Sequence, residues 1–225
     1  MGHALGAVLP LAVAVAIFPV PIIVAVLVVG SDRGRAKGLV FVLAWCSGLA
    51  VVGAIVLLFT GVSDAGDGGE PATWLSVVLL CLGLALVAAA VKQWRGRPGD
   101  GEETPTPAWM RAIGNFTLVK AAGAGFALTA LNPKNVLLVV GAAVEIAGFG
   151  LPAGQEIAVL VVFVLVASAG VLTPLILSVA LGERSRELLD GMTAWLGRHN
   201  AVIMSALLLL IGAKLIGDAI SGFSS

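Results

Sequence analysis

The chain has 225 residues; 59% are hydrophobic and only 12% charged, with 13 Lys and Arg balancing 13 Asp and Glu. Soluble globular domains carry roughly 25% charged residues, so this composition excludes a soluble enzyme, a disordered chain and a protein that binds nucleic acid through net charge. A disulfide scaffold is excluded too, because Cys46 and Cys81 both lie in apolar stretches and no CxxC occurs.

What remains is an all-α membrane protein, with mean hydropathy +1.08. A spanning helix needs about 20 mostly apolar residues. The uncharged runs predict six, at residues 5–30, 38–60, 73–92, 121–146, 156–181 and 199–221. Barrel strands would alternate polar and apolar residues in segments of about 10, and these runs are continuous.

The first predicted span is broken in its middle by Phe18-Pro19-Val20-Pro21. Met1-Gly2-His3 lacks the Lys or Arg of a signal-peptide n-region, so the span is expected to be retained. The connector 31–37 carries Arg33, Arg35 and Lys37. After the second span, the connector 61–72 carries Asp64, Asp67 and Glu70 and no base. The third span leads into the longest connector, 93–120. Its stretch 95–107 is rich in Gly, Pro, Asp and Glu, a composition that cannot bury a core and reads as a tether. Arg111 to Lys120 reads as a short surface helix anchored by Trp109.

The fourth span is interrupted by Leu131-Asn132-Pro133-Lys134-Asn135. An outer connector framed by Glu145 and Glu156 follows, and both acids read as a solvated edge. The fifth span holds Thr173-Pro174, a second kink. The last connector carries Arg184, Arg186 and Arg198, and the sixth span holds Lys214 and Asp218 late in its length.

Bases thus collect in alternate connectors, with Lys92, Arg95, Arg97, Arg111 and Lys120 around the third. Only Lys134 and Lys214 fall elsewhere. The positive-inside rule puts those connectors in the cytoplasm and both termini outside. The five Trp residues read as interfacial anchors, Trp45 being the poorest fit.

The tether divides the chain into a first three-helix unit (1–92), a cytoplasmic linker (93–120) and a second three-helix unit (121–225). An odd number of spans inserts the second unit upside down, the inverted repeat common in secondary transporters. Short echoes support it. Spans one and four both carry proline in mid-span, followed by a run ending in Val-Val-Gly, and spans three and six both carry a late lysine, Lys92 and Lys214.

Proline within a helix removes an N–H donor and clashes with the carbonyl four residues earlier. In hydrocarbon each freed polar group costs several kcal/mol unless satisfied nearby. Two breaks at matching depth therefore point to a binding site at Pro19, Pro21 and Pro133; an ordinary kink is the alternative. Lys134 lies near mid-span, where a charge is costly. It is either an ammonium for an anion or a proton, or a structural partner for a buried acid or freed carbonyls. Asn132 and Asn135 would satisfy backbone groups at the break or touch a ligand. A half-helix restarting there adds positive dipole. Lys214 and Asp218 lie one turn apart and form either a plain intrahelical pair or a switchable counter-ion.

No nucleotide loop, HExxH pair or GxSxG elbow occurs, and His3 and His199 sit at helix ends. Neither enzyme activity nor a cofactor or metal is expected.

Six spans, three plus three, with Asn132-Pro133-Lys134 opening the second unit resemble the lysine-exporter superfamily. More narrowly, Leu131-Asn132-Pro133-Lys134-Asn135 together with Gly212-Ala213-Lys214-Leu215-Ile216-Gly217-Asp218 resembles its lipid-addressing branch, the glycopeptidolipid- and sulfolipid-addressing proteins of mycobacteria and related actinobacteria. The resemblance covers essentially the whole chain. It implies a bacterial inner-membrane protein that moves an anionic cell-envelope lipid outward by alternating access, with Lys134, Lys214 and Asp218 as the family's charged positions. Proton coupling, a homodimer or association with a larger lipid exporter are the expected partnerships. Two rival expectations stand beside it: export of an amino acid or ion, as in other branches, and a non-transporting scaffold for a lipid export complex.

Overall fold

The computed structural model describes residues 1–64, 73–96, 113 and 115–223. Among them every regular element is helical: α1 (Gly2–Ile17), α2 (Pro19–Val29), α3 (Gly34–Asp64), α4 (Thr73–Arg95), α5 (Leu118–Ala130), α6 (Pro133–Gly148), α7 (Ala153–Ala167), α8 (Ala169–Leu181) and α9 (Ser185–Phe223). A 3₁₀ turn, Gly182–Arg184, links α8 to α9. The expected tether lies mostly outside the described residues, as do Trp109 and the acids Asp67 and Glu70 of the connector 61–72.

Both expected breaks are present. α1 and α2 meet at 50°, α5 and α6 at 59°. The cause is local in each case. Proline pushes the residue before it out of the helical region, leaving Phe18 at φ −58, ψ 118 and Asn132 at φ −82, ψ 113. Proline then suits the first position of the next helix, where no N–H is required.

Three segments among the described residues are long and apolar enough to cross a membrane: Gly34–Thr60, Trp74–Arg95 and Ala169–Phe223. Counting each bent pair as one crossing makes five. The structure departs from the expected spans in two places. The run expected at 156–181 is divided at Ser168, not at Pro174. Ser168 turns its hydroxyl back onto the Val164 carbonyl at 2.7 Å and lies 3.2 Å from the Cys46 thiol of α3. Such back-bonding bends helices. The run expected to begin at 199 begins instead at Ser185, some 14 residues or about 20 Å earlier. Its amphipathic extension places Leu196 against Ile22 and Ile23 of α2. His199 is therefore inside a helix, stacked at 4.7 Å on Trp195.

Packing depends on glycine at close approaches, where small residues let membrane helices touch. A Cβ on Gly48 of α3 would strike the Thr129 side chain of α5. One on Gly170 of α8 would strike the Ala16 carbonyl of α1. Each broken pair is thus received, just before its break, by a glycine from a helix distant in sequence. α4 and α9 cross where Gly83 and Gly212 face each other: a Cβ on either would lie 2.8–2.9 Å from the other's carbonyl oxygen. Trp45 is fully buried in α3 and lies beside Gly125 of α5, which corrects its expected interfacial role. Trp74, Trp94 and Trp195 are exposed.

The basic connectors converge. Arg35 donates to the Ser178 carbonyl at 3.2 Å, and Gly125 rests on the Phe41 carbonyl. The starts of α3 and α5 and the end of α8 therefore lie at one end of the bundle.

Candidate functional site

The α5–α6 break is assembled by its own residues. Asn132 caps α6, its Oδ1 accepting from the Lys134 backbone N–H at 3.1 Å. Asn135, completely buried, donates from Nδ2 to the Leu128 carbonyl at 2.6 Å. That carbonyl belongs to the last turn of α5, whose acceptors lose their helical donors at the break. The Asn135 Oδ1 has no hydrogen-bond partner among the described residues. Pro133 supplies the turn at N1.

Lys134 is half-buried, and its Nζ donates to Gln93 Oε1 at 2.7 Å. Gln93 lies in the last turn of α4, so the bond ties α6 to a helix 41 residues earlier. The acceptor is a neutral amide. Among the described residues no carboxylate forms an ion pair with Lys134, and Lys92 adds a second positive charge beside Gln93. A net positive charge therefore stands at the restart of a broken helix.

The other expected residues lie elsewhere. Lys214 reaches Asp218 Oδ2 at 2.6 Å along α9 and Glu145 Oε1 at 2.6 Å on α6. Glu145 is eleven residues beyond Lys134, or about 16 Å at 1.5 Å per residue. Lys134 and Glu145 are thus two separate polar stations on α6, and Lys214 meets the second of them from α9. Pro19 and Pro21 are buried at the other break, where no side chain caps α2.

Glu145 corrects the expectation of a solvated edge: its side chain is 5% exposed and held by an ammonium. Gln93 was not anticipated either. A signal for Glu145 existed, because eleven residues are three helical turns plus about 20°, which puts it on the face of α6 that bears Lys134.

An apolar groove of about 440 Å³ runs between Ala90, Trp94 and Arg95 of α4 and Val202, Ser205 and Leu209 of α9. A guanidinium and an indole stand at one end of an otherwise hydrocarbon-like trough.

The sequence model of the Sap family, the sulfolipid-1-addressing proteins, matches residues 8–221. The chain belongs to that family. Neither a curated protein nor a solved structure matches it. The match covers both breaks and both polar stations, so in this sulfolipid-addressing family member the broken helices, Lys134 and the Glu145–Lys214–Asp218 cluster all belong to the family's own domain.

Proposed function

We propose that the protein is a transporter, without enzyme activity, that moves an anionic cell-envelope lipid across the bacterial inner membrane by alternating access. A sulfated or phosphorylated headgroup would be held at Lys134. The observation that carries this reading is the Lys134 ammonium, bound to a neutral amide and without a carboxylate partner among the described residues, at the restart of a broken helix. Intramembrane charge is costly and is kept where it faces a partner. The sulfolipid in the family's name supports a negatively charged lipid as that partner. The groove beside Arg95 supports it further, since hydrocarbon tails fit an apolar trough while Arg95 suits an acidic headgroup.

In this reading α1–α2, α3 and α4 form one three-helix half, and α5–α6, α7–α8 and α9 an inverted second half, with both termini outside. The glycine pairs support the inversion. The second helix of each half receives the broken helix of the other, and the third helices meet at Gly83 and Gly212. Membership of the wider lysine-exporter superfamily is part of the same reading.

Lipid retention tests it. In native mass spectrometry the wild-type protein should retain phosphatidylglycerol or a sulfated glycolipid in preference to phosphatidylcholine. Lys134→Gln, which can keep the bond to Gln93, should lose that preference, and Lys134→Arg should keep it. A charge-assisted contact contributes about 1.5–3 kcal/mol, so the affinity difference should be roughly tenfold to a hundredfold. Equal retention of both lipids, or no effect of Lys134→Gln, would refute the headgroup site.

A further inference from the structure

Glu145 and Asp218 share one ammonium. Lys214 places its Nζ 2.6 Å from an oxygen of each, so with all three ionised the cluster carries one negative charge in excess. The second oxygen of Glu145, Oε2, is buried and has no hydrogen-bond partner among the described residues. A buried carboxylate is tolerated when it is paired and its remaining lone pairs are satisfied, and here half of the group is not. Side-chain exposure falls along the cluster from 43% at Asp218 through 24% at Lys214 to 5% at Glu145. Asp218 also lies within about 8 Å of the end of α9. The cluster therefore runs from a face open to its surroundings to a closed interior.

We propose that Glu145, Lys214 and Asp218 form an exchangeable proton site in which Glu145 Oε2 takes the proton. A proton arriving from water forms one O–H bond on Oε2 and converts the carboxylate to a carboxylic acid. The excess negative charge becomes zero, Lys214 keeps Asp218, and release returns the proton to water. Loss of the charge on Glu145 weakens its hold on Lys214 and unlatches α6 from α9. In the transport reading, on which this coupling role rests, the proton gradient would then drive the movement.

Among the described side chains, the titratable groups on the helices packed against α6 leave Glu145 to these partners. α1 offers only His3, exposed in its first turn. α3 and α4 carry Arg35, Lys37, Lys92 and Arg95, and α5 carries Lys120, all of which belong to the basic connectors; Cys46 of α3 lies against Ser168 and Cys81 of α4 is exposed. α7 offers Glu156 in its first turn. α9 supplies Lys214 and Asp218.

The test needs no substrate. Infrared difference spectra, acid minus alkaline, would be taken of the full-length protein in phosphatidylcholine–phosphatidylglycerol vesicles. The wild type should show a protonated-carboxyl stretch that shifts in D₂O and is lost in Glu145→Gln. Should that variant fail to insert, Glu145→Asp should keep the band at a displaced frequency. A missing band in the wild type would overturn the proposal. So would a band that survives Glu145→Gln and disappears in Asp218→Asn, or one that sodium removes at constant pH. Because the lipid-retention measurement reads Lys134 alone, either proposal can fail without the other.

Discussion

At Lys134 and Asn135, adjacent residues divide two tasks. Asn135 turns inward and replaces a donor that the broken helix lacks, while Lys134 reaches out to Gln93. Asn135→Ala removes the donor to the half-buried Leu128 carbonyl, which costs about 1–3 kcal/mol. Thermal unfolding in detergent should show a clear loss of stability for Asn135→Ala and little change for Lys134→Gln; the reverse order would mean that the lysine is the structural residue. The local chemistry of this break was legible from the sequence, since Asn at a cap, Pro at N1 and a lysine after it are adjacent signals. The partners of Gln93 and Glu145 were not, because each lies on another helix, 41 and 69 residues away; spacing put Glu145 on the Lys134 face of α6 but did not show Lys214 beside it. Glu145 also stands at the end of an apolar run, where an acid usually meets water; tertiary packing of α9 closes it off.

At the scale of elements, proline made the two breaks readable, whereas the interruption at Ser168 comes from a hydroxyl bonding back to Val164 and meeting Cys46, contacts that no spacing announces. The early start of α9 could have been seen in Leu189, Met192 and Leu196, three apolar residues at helical spacing within a charged connector. Its basic residues drew the boundary to 199 instead. The glycine approaches carry a sharper consequence. A Cβ on Gly170 would enter the Ala16 carbonyl, which is backbone and cannot rotate away. Overpacking of this kind costs typically 1–3 kcal/mol or more. Gly170→Ala should therefore lower the melting temperature or abolish insertion, while Gly123→Ala, with nothing within 4 Å of its Cβ, should be neutral or slightly stabilising. Equal behaviour of the two variants would show that α8 does not press on the α1–α2 break.

For the whole molecule, the basic starts of α3 and α5 and the end of α8 gather at one end. The seating of each broken helix on a distant glycine was not legible, because it depends on contacts between residues more than 80 positions apart. An apolar groove, a lysine without a carboxylate partner among the described residues and a separate acid–lysine latch lie along neighbouring helices, and we propose that together they pass a negatively charged lipid. Transbilayer movement in proteoliposomes measures this directly, using a headgroup-labelled sulfated glycolipid and a labelled phosphatidylcholine as control. The account predicts movement of the sulfated lipid by the wild type and by Lys134→Arg, and a loss of at least about tenfold in Lys134→Gln, in line with one charge-assisted contact. Undiminished movement by Lys134→Gln, or no movement of the sulfated lipid by the folded wild type, would contradict it.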